Sequence, residues 1–239
     1  SGEDKVIRAI VLDLDGTLID RNESIADRTR EFLDELVEDG RLVCIATGRP
    51  FDQTIEILRK NDLGVGHGYP HGLICEERDI YFLAGDAYRS QDYWNRARRA
   101  DEQRIIPLVR DFCKIAGESD AFFVNSEYLQ TSRGFVELLF GNDEEAQRFC
   151  EFTESKVAAM PFRMIQNKRN VAIRSRTVGK EFALNELIRI WMLSASEVLA
   201  IGDSLNDMEM LKSGVQPATT DNGDRRIKAA VARRGGHVS

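Results

Sequence analysis

Apolar runs broken by polar, cap-forming residues divide this chain into alternating strands and helices. Ile7 to Leu14 is almost continuously apolar, which predicts a buried strand. Ile25, Phe32, Leu33, Leu36 and Val37 then recur at helical spacing behind Ser24, a cap residue, and Gly40 ends that helix. Arg41 to Ala46 predicts a second buried strand. Pro50 opens a helix through Lys60, where a first-turn proline loses no intrahelical hydrogen bond. Towards the other end, helix at Lys180–Met192, strand at Val198–Ile201 and helix at Asn206–Lys212 repeat the alternation. Continuous apolar strands separated by helices predict an α/β fold, with a Rossmann-like parallel sheet covered by helices on both faces.

The middle of the chain has a different rhythm. A charged helix over 91–116 precedes strands at 121–125 and 134–140, a helix at 144–157, and strands at 162–166 and 170–174. That αββαββ order predicts a small antiparallel sheet with two helices, an α+β domain inserted into the first. The expected division is residues 1–84 with 178–239 for the core and 85–177 for the insertion.

Composition narrows the function. The net charge of −7 over 239 residues argues against a nucleic-acid partner. The basic run at residues 96–99 reads as a solvated helix face. No apolar run is long enough to cross a bilayer and no secretory pattern is present, so a cytoplasmic location is expected. Cys44, Cys75, Cys113 and Cys150 form no Cys-x-x-Cys pair, which predicts reduced, buried thiols rather than disulfides or a zinc site. His67 and His71 flank a Gly/Pro-rich loop and are expected to serve the turn.

The chemistry concentrates at strand ends. The first strand closes with Val11-Leu12-Asp13-Leu14-Asp15-Gly16-Thr17-Leu18. Two carboxylates two residues apart on a strand start on one face, and burying them together is costly without a cation. Loops at the carboxyl ends of parallel strands bind ligands. Thr47-Gly48-Arg49 follows the second strand, Lys180 opens a helix, and Gly202-Asp203-Ser204-Leu205-Asn206-Asp207 follows the strand ending at Ile201. Carboxylates converging from these tips make a hard oxygen pocket suited to Mg²⁺. Backbone amides, the Thr47 hydroxyl and the Lys180 ammonium suit phosphoryl oxygens. A carboxylate beside a phosphoryl group can attack phosphorus and form an aspartyl-phosphate.

Asp13-x-Asp15-Gly16-Thr17, Thr47, Lys180 and Gly202-Asp203-x-x-Asn206-Asp207 resemble, in order and spacing, the four motifs of the haloacid dehalogenase superfamily of phosphohydrolases. The αββαββ insertion resembles the cap of its Cof-type sugar-phosphatase branch. The resemblance implies Asp13 as nucleophile and Mg²⁺ ligand, Asp203 as the second side-chain ligand, and Asp15 as general acid/base that reaches the metal only through its backbone carbonyl. It implies that Leu14, Thr47, Gly48, Lys180 and Asn206 hold the phosphoryl group, and that Asp207 stands in the metal's outer shell or orients Lys180. Capping its own helix is an alternative role for Asp207. Asp15 could act as an acid only with its carboxyl turned away from the metal, toward the leaving group. The implied function is Mg²⁺-dependent hydrolysis of a small phosphorylated metabolite, a sugar phosphate foremost, beneath an inserted domain that closes and excludes water. Alternatives are a sugar phosphomutase of the same superfamily and a non-enzymatic phospho-acceptor signalling module.

One segment departs from the pattern. Relatives commonly carry Asn-Gly-Ala after the third core strand, whereas this chain has Gly72-Leu73-Ile74-Cys75-Glu76-Glu77-Arg78, which brings Glu76 or Glu77 to the cleft. Glu127, Arg133 and Glu137 of the insertion are candidate substrate contacts.

Overall fold

A computed structural model of the chain describes residues 6–118, 127–130 and 134–239. They form two compact units, residues 6–95 with 179–239, and the described residues between 96 and 178.

The first unit opens with β1 (Ala9–Asp13), α1 (Asp27–Glu38), β2 (Leu42–Ala46) and α2 (Phe51–Lys60), followed by the hairpin strands β3 (Gly72–Cys75), β4 (Asp79–Ala84) and β5 (Ala87–Ser90). α3 (Asp92–Glu118) leads into the second unit, which continues with β6 (Glu127–Gln130), β7 (Val136–Leu139), α4 (Asp143–Val157), β8 (Phe162–Asn167) and β9 (Asn170–Ser175). The chain then returns through α5 (Lys180–Ile190), β10 (Val198–Ile201), α6 (Met208–Lys212), β11 (Gln216–Thr219), α7 (Arg225–Arg233) and β12 (His237–Val238).

In the first unit the strands form one sheet in the order β12-β11-β10-β1-β2-β3-β4-β5. It is parallel from β12 to β3, and β4 and β5 join antiparallel. The class is therefore α/β, as the alternation predicts. Strand side chains point alternately to two faces, and each face has its own core. Ala9 and Val11 pack with Cys44, Ala46, Leu184, Leu187 and Met210 on the side of α5, α6 and α7. Ile10 and Leu12 pack with Val43, Ile45, Leu33 and Leu58 on the side of α1 and α2. Burying each such aliphatic side chain contributes about 1.5–3 kcal/mol, so the sheet is a rigid base for its loops.

The second unit carries an antiparallel sheet in the order β6-β7-β9-β8. Val136, Leu138, Val171 and Ile173 form its buried face against Val109 and Phe112 of α3 and Phe149 of α4.

Several local expectations shift. The first helix begins at Asp27 with Ala26 at its cap position rather than behind Ser24, because the Asp20 carboxylate accepts the backbone N–H groups of Asn22 and Ser24 and holds them in a turn. The helix expected from Asn206 is a 3-10 turn over Leu205–Asp207 followed by the short α6. The division falls between Asn95 and Arg96 rather than at 84/85, since β5 pairs with β4 and extends the large sheet. The strand expected at 121–125 and the candidate Arg133 lie outside the described residues. Glu137 lies on β7 and accepts a hydrogen bond from Asn170 Nδ2 at 3.2 Å.

The cysteines are free thiols, with Cys44, Cys75 and Cys113 buried, and burial pushes Cys75 and Cys113 up to about 12. His71 accepts the Val43 N–H on Nδ1 at 3.0 Å, a loop-to-strand tie as its turn setting implies. No helix among the described residues is long and apolar enough to cross a membrane.

Candidate active site

The sheet order places β1 between β2 and β10, where the chain's progress across the sheet reverses and a crevice opens at the strand tips. Register then brings the loops together. Asp13 lies beside Ala46 on β2, so Thr47 follows directly, and Leu12 lies beside Ile201 on β10, so Gly202 and Asp203 follow on the other side. Ala46 in turn lies beside Ile74 on β3, which leads to Glu76 and Glu77.

Asp13 continues the alternation of β1 toward the α5 side and is buried, with 5% of its surface exposed. Lys180, the first residue of α5, is fully enclosed there. Its Nζ donates to Asp13 Oδ1 at 2.5 Å and to Asp207 Oδ1 at 2.6 Å. The other oxygen of Asp207 accepts the backbone N–H groups of Asp203 and Ser204, each at 3.1 Å. Asp207 thus both holds the lysine and ties down the loop that carries Asp203. One oxygen from each of Asp13, Asp203 and Asp207 lies within 4.8 Å of the others.

Burial raises Asp13 well above the usual carboxylate range; Lys180 opposes this, while Asp207 and Asp203 reinforce it. Asp207 is raised by burial as well, again against Lys180. Burial alone would push the Lys180 ammonium down, yet Asp13, Asp207 and Glu77 together hold it up, so it stays cationic. Three buried carboxylates around one ammonium leave net negative charge, and a divalent cation would neutralise it. The donor set, all oxygen and closely spaced, fits Mg²⁺.

Two residues on, the alternation fails. β1 ends at Asp13, and Gly16, with φ of +81°, turns the chain so that Leu18 and Ile19 donate back to the Leu14 carbonyl. Leu14 puts its side chain into the core on the α1 and α2 side. Asp15 is not one of the three clustered carboxylates: its side chain is 51% exposed and is gripped by Arg49, Nη2 to Oδ1 at 2.6 Å and Nε to Oδ2 at 2.8 Å. Arg49 also donates to Glu23 at 2.8 Å, and Lys60 holds Glu23 from the other side at 3.0 Å. The hydrogen bond to Asp15 and then that to Glu23 push the Arg49 guanidinium up against the effect of its partial burial. The Arg49 clamp has no counterpart in the sequence reading, although a cation next to Thr47-Gly48 at a strand tip was its available signal.

The remaining site residues sit around these. Thr47 is buried and its hydroxyl oxygen accepts the Arg49 backbone N–H at 3.1 Å, so its own O–H is left to donate. Asn206 Nδ2 donates to Glu77 Oε1 at 2.9 Å, and a Cβ built on Gly48 would stand 3.6 Å from that same oxygen. Glu76 is instead paired with Arg78 at 2.8 Å, which also binds Asp79. Thr17 Oγ1 donates to Asp203 Oδ1 at 3.1 Å, and Asn222 Nδ2 donates to the Gly16 carbonyl at 2.8 Å. Both stabilise the Asp203 and Gly16 loops, and Asn222 belongs to a segment from which the sequence alone yielded nothing.

Gly16 is required twice over: by its left-handed φ, and because a Cβ there would lie 2.5 Å from Asp203 Oδ2. Gly16→Ala is therefore expected to displace Asp203 and to weaken binding of a divalent cation at the three carboxylates by about tenfold. A metal titration of the variant against the unsubstituted chain checks this.

The haloacid dehalogenase-like hydrolase family model matches residues 10–84 and 86–234, and the chain belongs to that family. A phosphoglycolate phosphatase of Methanoculleus marisnigri is 26% identical over 230 residues, covering 94% of this chain and 89% of the relative. The sucrose-phosphatase of Synechocystis, solved with sucrose and phosphate, shares the fold at a TM-score of 0.72 and 16% identity, over 98% of this chain and 91% of that one. A haloacid dehalogenase-like hydrolase from B. subtilis aligns with a TM-score of 0.67 at 17% identity, over 98% and 94% of the two chains.

Proposed function

We propose that this chain is a Mg²⁺-dependent phosphatase that hydrolyses a small phosphorylated metabolite, a sugar phosphate foremost, through an aspartyl-phosphate on Asp13. The observation that carries the reading is the buried Lys180 ammonium held between Asp13 and Asp207 with Asp203 alongside. Such a set serves phosphoryl transfer because that reaction depends chiefly on positioning and charge neutralisation. The family assignment and the phosphatase names of full-length relatives support the same class.

In this reading the Asp13 carboxylate attacks phosphorus, and the bond to the ester oxygen breaks as the Asp13–phosphorus bond forms. Thr47, Lys180 and Asn206 hold the phosphoryl oxygens, with backbone amides of Leu14 and Gly48. Asp13 and Asp203 would hold Mg²⁺, Asp207 would stand behind them, and the ion when bound offsets the charge gathered on the phosphoryl oxygens. Asp15 would protonate the leaving oxygen once its carboxyl swings away from Arg49 and takes up a proton, and would later take the proton of the water that cleaves the acyl phosphate. Its carboxyl is half exposed, which suits that role, and Arg49 sets where it waits.

The test is phosphate release from p-nitrophenyl phosphate, followed by a panel of phosphorylated metabolites without any bisphosphate activator. EDTA is expected to reduce release to background, and excess Mg²⁺ to restore it. Full turnover in EDTA would defeat the reading, and a strict need for a bisphosphate would make the chain a mutase.

A further inference from the structure

We propose that Glu77 is a positioning residue for phosphoryl binding: its carboxylate holds the Asn206 amide nitrogen in place at the inner wall of the site. The inference rests on the reading of this site as a phosphoryl-transfer centre and adds a residue to it. Glu77 stands in the turn after β3, at the position where the Asn-Gly-Ala pattern is replaced.

The turn is built to present this side chain. Glu76 N–H donates to the Arg49 carbonyl and Glu77 N–H to the Thr47 carbonyl, both at 2.9 Å, which ties it to the phosphoryl-binding loop after β2. Glu76 and Glu77 have φ of 53° and 59°, a left-handed conformation that residues with a Cβ seldom adopt. Glu77 is buried, and its Oε1 lies 2.9 Å from Asn206 Nδ2 and beside Gly48. Its charge also helps hold Lys180 cationic. Two groups assigned to the phosphoryl oxygens, Asn206 and Gly48, therefore adjoin one carboxylate.

Charge alone argues against such a group, because a carboxylate repels a phosphoryl dianion. The hydrogen bond supplies the reason. Asn206 Oδ1 is buried with no partner among the described residues, so the amide takes its orientation from Nδ2. That nitrogen carries two N–H groups: Glu77 takes one and thereby leaves the other for a phosphoryl oxygen. Glu77 acts here as an acceptor of fixed position.

The experiment uses the intact chain at saturating Mg²⁺. It reads kcat and KM for p-nitrophenyl phosphate, and separately the inorganic phosphate concentration that gives half the maximal rise in Tm. Glu77→Ala is expected to raise KM and the phosphate midpoint by about tenfold, the worth of one charge-assisted hydrogen bond. Glu77→Gln, which keeps an acceptor and removes the charge, is expected to return both to within about threefold. In an Asn206→Ala background, Glu77→Ala should add less than about twofold, because the residue acts through Asn206. If Glu77→Ala does not fold, Glu77→Gly takes its place, since glycine suits the turn's left-handed φ. An unchanged phosphate midpoint, effects that multiply in the double variant, or a glutamine variant as weak as alanine would each overturn the assignment. If phosphate binds with the coupled pattern but no ester is hydrolysed, Glu77 keeps its role and the phosphatase reading falls instead.

Discussion

Asp13→Asn is expected to reduce phosphate release by more than about 10³-fold while leaving the fold intact. An amide oxygen is a poor nucleophile, and the change removes a charge that the divalent ion requires, so attack and metal affinity are lost together. The stability effect should run the other way. Burial raises Asp13 above the usual carboxylate range, so its charge is disfavoured in the folded chain. A group raised on folding contributes stability below its unfolded value near ~3.9 and loses that contribution as pH rises through the folded value. Asparagine removes the cost at neutral pH, and Asp207 remains to pair with Lys180. Melting in EDTA is therefore expected to show a Tm no lower than that of the unsubstituted chain. A variant with full turnover would remove Asp13 from the reaction.

Lys180→Met should damage both activity and stability. The side chain is 0% exposed and balances two carboxylates directly, so methionine leaves Asp13 and Asp207 uncompensated. Removing one partner of a buried ion pair costs about 3–5 kcal/mol, which for a chain of this size corresponds to a Tm fall of about 10 °C without metal. The pH dependence is distinctive. Lys180 is raised on folding, so its contribution is complete below its unfolded value near ~10.4 and is lost only above that. Asp13 and Asp207 are raised as well, and lowering the pH neutralises them. The deficit of the variant should consequently shrink as the solution is made acidic, and Mg²⁺ should shrink it at neutral pH. Thermal melts across pH, with and without Mg²⁺, test both statements. A deficit independent of pH and metal would mean that the lysine serves packing alone.

The local elements were legible wherever apolar period and stop signals agreed. β2, α2, β10 and the residues of α5 follow from the pattern because each buries a continuous run between a cap or proline and a glycine or polar break. The short elements β5, β11 and β12 carry too few apolar positions to announce themselves, and only pairing with neighbours makes them strands. Within the site, Asp13, Asp203, Lys180 and Asp207 were nameable from residue type and spacing at strand tips. Their meeting depends on β1 lying between β2 and β10, a matter of sheet order. The pairing of Arg49 with Asp15 and Glu23 was not legible, since a single cation in a loop carries no periodic signal that names its partners.

By itself the sequence determined the α/β class, the run of strand-end motifs and the residue types available for phosphoryl chemistry, because these depend on local periodicity and on side-chain chemistry. The tertiary structure alone decided which carboxylates lie close enough to share a cation, where Asp15 rests and what Glu77 holds. Those outcomes are set by register, backbone turns and burial, which place residues far apart in the chain within hydrogen-bond reach.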